Sequence, residues 1–236
     1  MESWKPLALL ALAAVLPSAR AQQTDGAAPN VGPPPNMPVI AQALGVQCAF
    51  CHAGPRNAQS RAEGQPPSKY EIARAMIAMT RDLNAKVQAA TGKAPTEATQ
   101  VTCVTCHRGV AVPGQLADIV AKTALADGPD AAIARYRDLR EHYYGGQAYD
   151  FREETLLDAG EKLIRIKPET AIPILRLNLE FYPKSVRSYA EIAFAYTRSL
   201  NDEAAIAELE KAVAIEPDNG TIRGQLEQLK SYHRKR

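Results

Sequence analysis

All four cysteines of this 236-residue chain fall within two copies of one pattern, Cys48-Ala49-Phe50-Cys51-His52 and Cys103-Val104-Thr105-Cys106-His107. No other feature restricts the fold so tightly. Positions three apart on a helix share a face, so each pattern sets two thiols one turn apart with an imidazole on the next residue. That is the attachment sequence of c-type haem: two sulfurs add to the two vinyl groups of one porphyrin, and the following histidine ligates iron. A thioredoxin-type C-x-x-C disulfide would need a βαβ setting, and the sequence carries no strand pattern. Zinc sites do not ordinarily place a histidine directly after the second cysteine of a pair. The motifs therefore predict two covalently attached haem c groups. One sits on Cys48 and Cys51 with His52 as metal ligand, the other on Cys103 and Cys106 with His107.

Haem of this kind is attached outside the cytoplasm, and the start of the chain agrees. Residues 1–5 carry Lys5, residues 7–16 are an unbroken apolar run, and Pro17 precedes the small-residue site Ala19-Arg20-Ala21. This order predicts an export signal over 1–21, cleaved near Ala21, and a periplasmic mature protein. The apolar run is about half the ~20 residues that a membrane-spanning helix needs. Residues 22–36, rich in proline and glycine, read as a flexible linker. With 46% hydrophobic and 23% charged residues, the remainder has globular composition. The net charge of +2, with Lys and Arg dispersed along the chain, predicts no nucleic-acid partner.

Residues 69–84 read as a helix with Ile72, Met76, Met79 and Leu83 on one face. A methionine thioether on iron raises the potential and fills the sixth position, which suits electron transfer. Methionine on an apolar helical face is also common core filler, so spacing alone leaves Met76 and Met79 open. A resemblance bears on that choice. Met37, Leu44-Gly45-Val46 and Cys48…Phe50-Cys51-His52, in that order, resemble one haem segment of the tetrahaem cytochrome subunit of photosynthetic reaction centres. So does the run Ala73-Arg74-Ala75-Met76-Ile77-Ala78-Met79-Thr80-Arg81-Asp82-Leu83-Asn84, followed by Val101-Thr102-Cys103 and Thr105-Cys106-His107-Arg108-Gly109. The likeness covers residues 37–113. It implies helix–turn–motif segments in which the helix runs along the haem and supplies a methionine ligand ahead of its own motif. By that resemblance Met37 would ligate the haem on Cys48 and Cys51, Met76 the haem on Cys103 and Cys106, and Met79 would be packing. The chain departs from the family in having two motifs rather than four. Residues 85–91 hold no histidine to reach another haem, which favours His/Met ligation at both irons.

Beyond Pro113 cysteine and methionine stop, and long helical patterns begin. Pro183 and Pro217 stand 34 residues apart, the tetratricopeptide period, with small residues at Ala193, Ala205 and Ala212 and larger ones at Tyr189, Ile192, Tyr196 and Leu209. Alanines of that kind let helices cross closely. In the preceding unit Ala171 and Leu175 fit and Asn178 stands where a small apolar residue is expected; residues 221–233 offer a capping helix. His142 and His233 read as surface or packing histidines, and Arg108 as either a propionate partner or a solvated side chain. The expected fold is all-α: a small dihaem cytochrome c domain of helix–turn–C-x-x-C-H segments over 37–115, a helical connector over 116–148, and tetratricopeptide-like helical hairpins over 149–236. The expected function is one-electron transfer between redox partner proteins, a membrane-bound electron-transfer complex among them, with no substrate and no catalysis. Two other readings compete: a haem enzyme or sensor with one open iron, and a repeat-based assembly factor whose haems report redox state.

Overall fold

Helix boundaries follow from local chemistry. In the computed structural model, which describes residues 36–53 and 66–234, α1 (Met37–Leu44) opens with Pro38 at its second position, where no backbone donor is needed. It ends at Gly45, whose φ of 64° lets its N–H reach the Gln42 carbonyl while Val46 N–H reaches Ala41. The expected export signal and all of the expected linker except Asn36 lie outside the described residues. α2 (Ala49–His52) and α4 (Cys103–His107) are single turns that carry the two motifs. Between them runs α3 (Lys69–Thr91), 23 residues and so about 35 Å long. Its start is a reciprocal cap: Glu71 N–H donates to Ser68 Oγ at 3.2 Å, and Ser68 N–H to Glu71 Oε2 at 2.8 Å. Gly92, with φ 66°, closes its other end.

Seven further helices follow: α5 (Leu116–Asp127), α6 (Pro129–Tyr143), α7 (Glu153–Ile164), α8 (Pro168–Phe181), α9 (Val186–Arg198), α10 (Asp202–Ile215) and α11 (Gly220–His233). With no strand among the described residues, the fold is all-α, as the sequence predicts. Consecutive helices pack as hairpins, α5 on α6, α7 on α8 and α9 on α10, and each hairpin lies on the next, with α11 against α10. Tyr136, Leu156, Leu163, Ile174, Leu175 and Ile192 are buried in one core shared by α5 to α9. The stretch over 116–148 thus carries a hairpin that contributes to the core of α7 and α8. A second cluster gathers Ala193, Ala205, Leu209, Ala212, Ile222 and Leu226. Small residues sit at the crossings. Ala159, Ala171, Ala205 and Ala212 are wholly buried, and a Cβ on Gly160 would stand 2.4 Å from Leu175 Cδ2. Asn178 is buried too, its amide donating to Ser188 Oγ at 2.9 Å and to the Glu153 carbonyl at 3.3 Å.

Candidate haem-binding site

The second motif is the more fully built. Thr102 precedes α4 in an extended conformation, and its N–H donates to the hydroxyl of Thr105, inside the motif, at 3.0 Å. The turn so fixed puts Cys103 and Cys106 on one face, with Cys106 exposed and Cys103 half-buried. His107 is the only buried residue of the motif. Its Nδ1 lies 2.9 Å from the carbonyl oxygen of Val110. A carbonyl can only accept, so a neutral imidazole here carries its proton on Nδ1 and leaves the Nε2 lone pair for a metal. Arg108, exposed, follows with φ 50°, and Gly109 with φ 91°; Val110 N–H closes the turn on His107 O at 3.0 Å.

The first motif is arranged differently. Cys48 caps α2 in helical conformation and is exposed, Cys51 is half-buried, and His52 is exposed. The start of α3 covers one side of it. The Tyr70 ring lies 5.7 Å from the His52 ring at 57°, and Lys69 Nζ sits 3.9 Å from the centre of the Phe50 ring, a cation–π contact. Among the described residues no three His, Cys, Asp or Glu side chains converge, so the two motifs are not gathered into a four-ligand zinc site.

Helix α3 buries no residue at all, although its sequence is amphipathic. Ile72, Met79 and Leu83 are exposed along the predicted apolar face, and Met76 is half-buried on it. Likewise α1 buries only Ala43 and leaves Met37 and Val39 exposed. Apolar stripes of this size beside paired thiols and a pre-oriented imidazole form a surface that a flat, apolar macrocycle would cover. The donor set and these uncovered faces fit a haem at each motif.

Contacts cross between segments: α1 packs on α4, and α2 on α3. The end of α1 also meets the loop after α4, where Ala43 and the capping Gly45 lie against Gly109, at the opposite end of α1 from Met37. Met76 and Met79 share α3, which is tied to the approach to α4 by a residue that sequence reasoning did not single out. Asn84 Nδ2 donates to the Val101 carbonyl at 2.8 Å, and Val101 N–H donates to Asn84 Oδ1 at 2.7 Å. The amide thereby anchors the chain two residues ahead of Cys103. The other histidines lie apart from the motifs: His142 is exposed on α6 with Nδ1 2.8 Å from the Asp138 carbonyl, and His233 lies 3.9 Å from Asp202. The Asp138 carbonyl and carboxylate hold the His142 imidazole above its usual range.

The family model of the photosynthetic reaction centre cytochrome C subunit matches residues 57–190. The chain belongs to this family. Its members are c-type cytochromes of electron transfer that bind haem c. The matched span takes in α3, α4 with the second motif, and the helices from α5 into α9, whereas the first motif lies ahead of it. No curated protein matches the chain. No helix among the described residues is long and apolar enough to cross a membrane.

Proposed function

We propose that this chain is an exported, periplasmic dihaem c-type cytochrome that passes single electrons between redox partner proteins. The observation that carries the reading is His107, buried beside Cys103 and Cys106, with its Nδ1 proton committed to the Val110 carbonyl. When bound, haem would supply an iron centre that alternates between ferric and ferrous states. Cys48 and Cys51 would hold one group and Cys103 and Cys106 the other; His52 and His107 would each offer Nε2. Met37 and Met76 would each offer a thioether, from α1 and α3, so that neither group is left open to small ligands. With all positions filled, no residue needs to act as acid, base or nucleophile, and the protein's part is to anchor, orient and exclude water.

The helices over 149–236 serve, in this proposal, as tetratricopeptide-like docking hairpins. Two clefts of about 710 and 660 Å³ meet at Ala190 and Glu191 on α9 and offer a surface of that kind. The family points to a membrane-bound photosynthetic reaction centre as the partner complex.

Mass spectrometry of mature protein made with the haem-attachment machinery tests the reading. Two haem additions, one on each motif, with low-spin spectra at both irons are expected. Free thiols or bound zinc would overturn the cytochrome reading. A high-spin site that binds CO without displacing methionine would point to the enzyme or sensor, and unchanged complex assembly after loss of both motifs would point to the assembly factor.

A further inference from the structure

The last turn of α1, which belongs to the first haem segment, is pressed against the loop that leaves the second motif. Gly109 N–H donates to the Ala43 carbonyl at 2.8 Å. Gly45 approaches so closely that a Cβ on it would stand 2.1 Å from the Gly109 carbonyl oxygen and 2.8 Å from the carbonyl carbon. The obstruction is backbone, which cannot swing aside as the tip of a long side chain would. Gly109 also sits between the two residues that matter most to the imidazole. His107 precedes it by two positions, and Val110, whose carbonyl receives the Nδ1 proton, follows it directly.

We propose that the Ala43–Gly45 turn is a positioning element for His107. It fixes Gly109, and so the Val110 carbonyl, and so the hydrogen bond that sets the orientation and basicity of the ring. The inference rests on the reading that His107 ligates the haem on Cys103 and Cys106, and it adds that the first haem segment tunes the second iron through peptide groups alone. A donor bond from Nδ1 to a carbonyl raises the basicity of Nε2, and a more basic ligand favours the ferric state. Loosening the turn therefore raises the reduction potential of that haem.

Gly45→Ala and Gly45→Asn test this, with Gly92→Ala and Gly92→Asn as controls. Both glycines cap a helix at nearly the same φ, 64° and 66°, but a Cβ on Gly92 meets nothing within 4 Å. Asparagine tolerates the left-handed region, so Gly45→Asn isolates the collision from backbone strain. In full-length holoprotein the Gly45 variants are expected to shift the potential of the haem on Cys103 and Cys106 upward. The His107 Nδ1 proton should exchange faster with solvent, and the Gly92 variants should change neither readout. Folded Gly45→Asn protein with both readouts unchanged, or equal shifts in the Gly92 variants, would overturn the proposal. Should the Gly45 variants not accumulate, hydrogen exchange at Gly109 in the unaltered protein decides. Its amide is expected to exchange at least about tenfold slower than an unstructured amide, and exchange at the open rate rejects the clamp. Haem content by mass is read separately, so absence of haem from Cys103 and Cys106 counts against the proposed function while Gly109 exchange still reports on the clamp.

Discussion

Asn84 pairs with Val101 as a neighbouring strand would, both donating and accepting through one amide. Asn84→Ala leaves the Val101 N–H and carbonyl without that partner at a half-buried position. Two lost hydrogen bonds there are worth about 1–3 kcal/mol together, read as a fall in stability by urea unfolding. A loss within experimental error would mean that the amide does not hold the approach to Cys103. The run that carries the resemblance ends on Asn84, but nothing in the sequence points to its pairing with Val101, which joins positions 17 apart through a backbone that carries no side-chain signature. The cysteines and histidines of the motifs were legible at once, since their chemistry lies within five consecutive residues. The assignment of Met37 and Met76 as ligands rests on the resemblance. Met76 is half-buried on the same helix on which Met79 is exposed. Met37→Ala and Met76→Ala should each remove about half of the methionine-to-ferric-iron absorption band, and Met79→Ala none of it. Loss on Met79→Ala in place of Met76→Ala would exchange the two roles.

Elements were legible where the period was strong and anchored by caps. The spacing of Ile72, Met76, Met79 and Leu83 predicts a helix over 69–84, and α3 begins there behind its Ser68–Glu71 cap but runs on to Thr91, where Gly92 ends it. Helices α5 and α6 were harder to assign as part of a stack. Their buried positions include Ala117, Ala121, Ala124 and Ala132, residues that pack closely yet leave only a faint hydrophobic pattern. Close packing also gives opposite signs to one substitution at two places. Glycine to alanine within a helix gains up to about 1 kcal/mol of intrinsic propensity. At Gly160 the new methyl would stand 2.4 Å from Leu175 Cδ2 and 2.8 Å from its Cγ, and Leu175 is wholly buried and cannot retreat. Overpacking of that kind costs about 1–3 kcal/mol, so the collision wins and Gly160→Ala destabilises. At Gly224 on α11 a Cβ meets nothing within 4 Å, so Gly224→Ala should stabilise. Thermal unfolding of the two variants beside the parent reads both signs, and a stabilised Gly160→Ala protein would show that α7 and α8 are less closely apposed.

At the scale of the whole molecule, the hairpins are joined by charge as well as by apolar packing. Glu208 on α10 is buried and accepts from Arg176 of α8 at 2.6 and 2.9 Å and from Lys211 at 2.9 Å. Burial alone would push this carboxyl up, but the Arg176 and Lys211 hydrogen bonds and charges outweigh it and hold the group below its ordinary value. A carboxyl so depressed stabilises the folded chain above its unfolded pKa of about 4.3, and that contribution fades as pH falls through the lower folded value. Arg176 and Lys211 are 38% and 51% exposed, so water screens much of the attraction. Removing the charge is therefore expected to cost about 1–2 kcal/mol, below the range for a fully buried pair. Glu208→Gln keeps the shape of the side chain while deleting its charge. Urea unfolding of the parent and this variant should differ by that amount at pH 7, and the gap should close as acid protonates Glu208 in the parent. A gap that stays constant down to pH 2 would show that the amide's altered hydrogen bonding, rather than the carboxylate's charge, separates the two proteins.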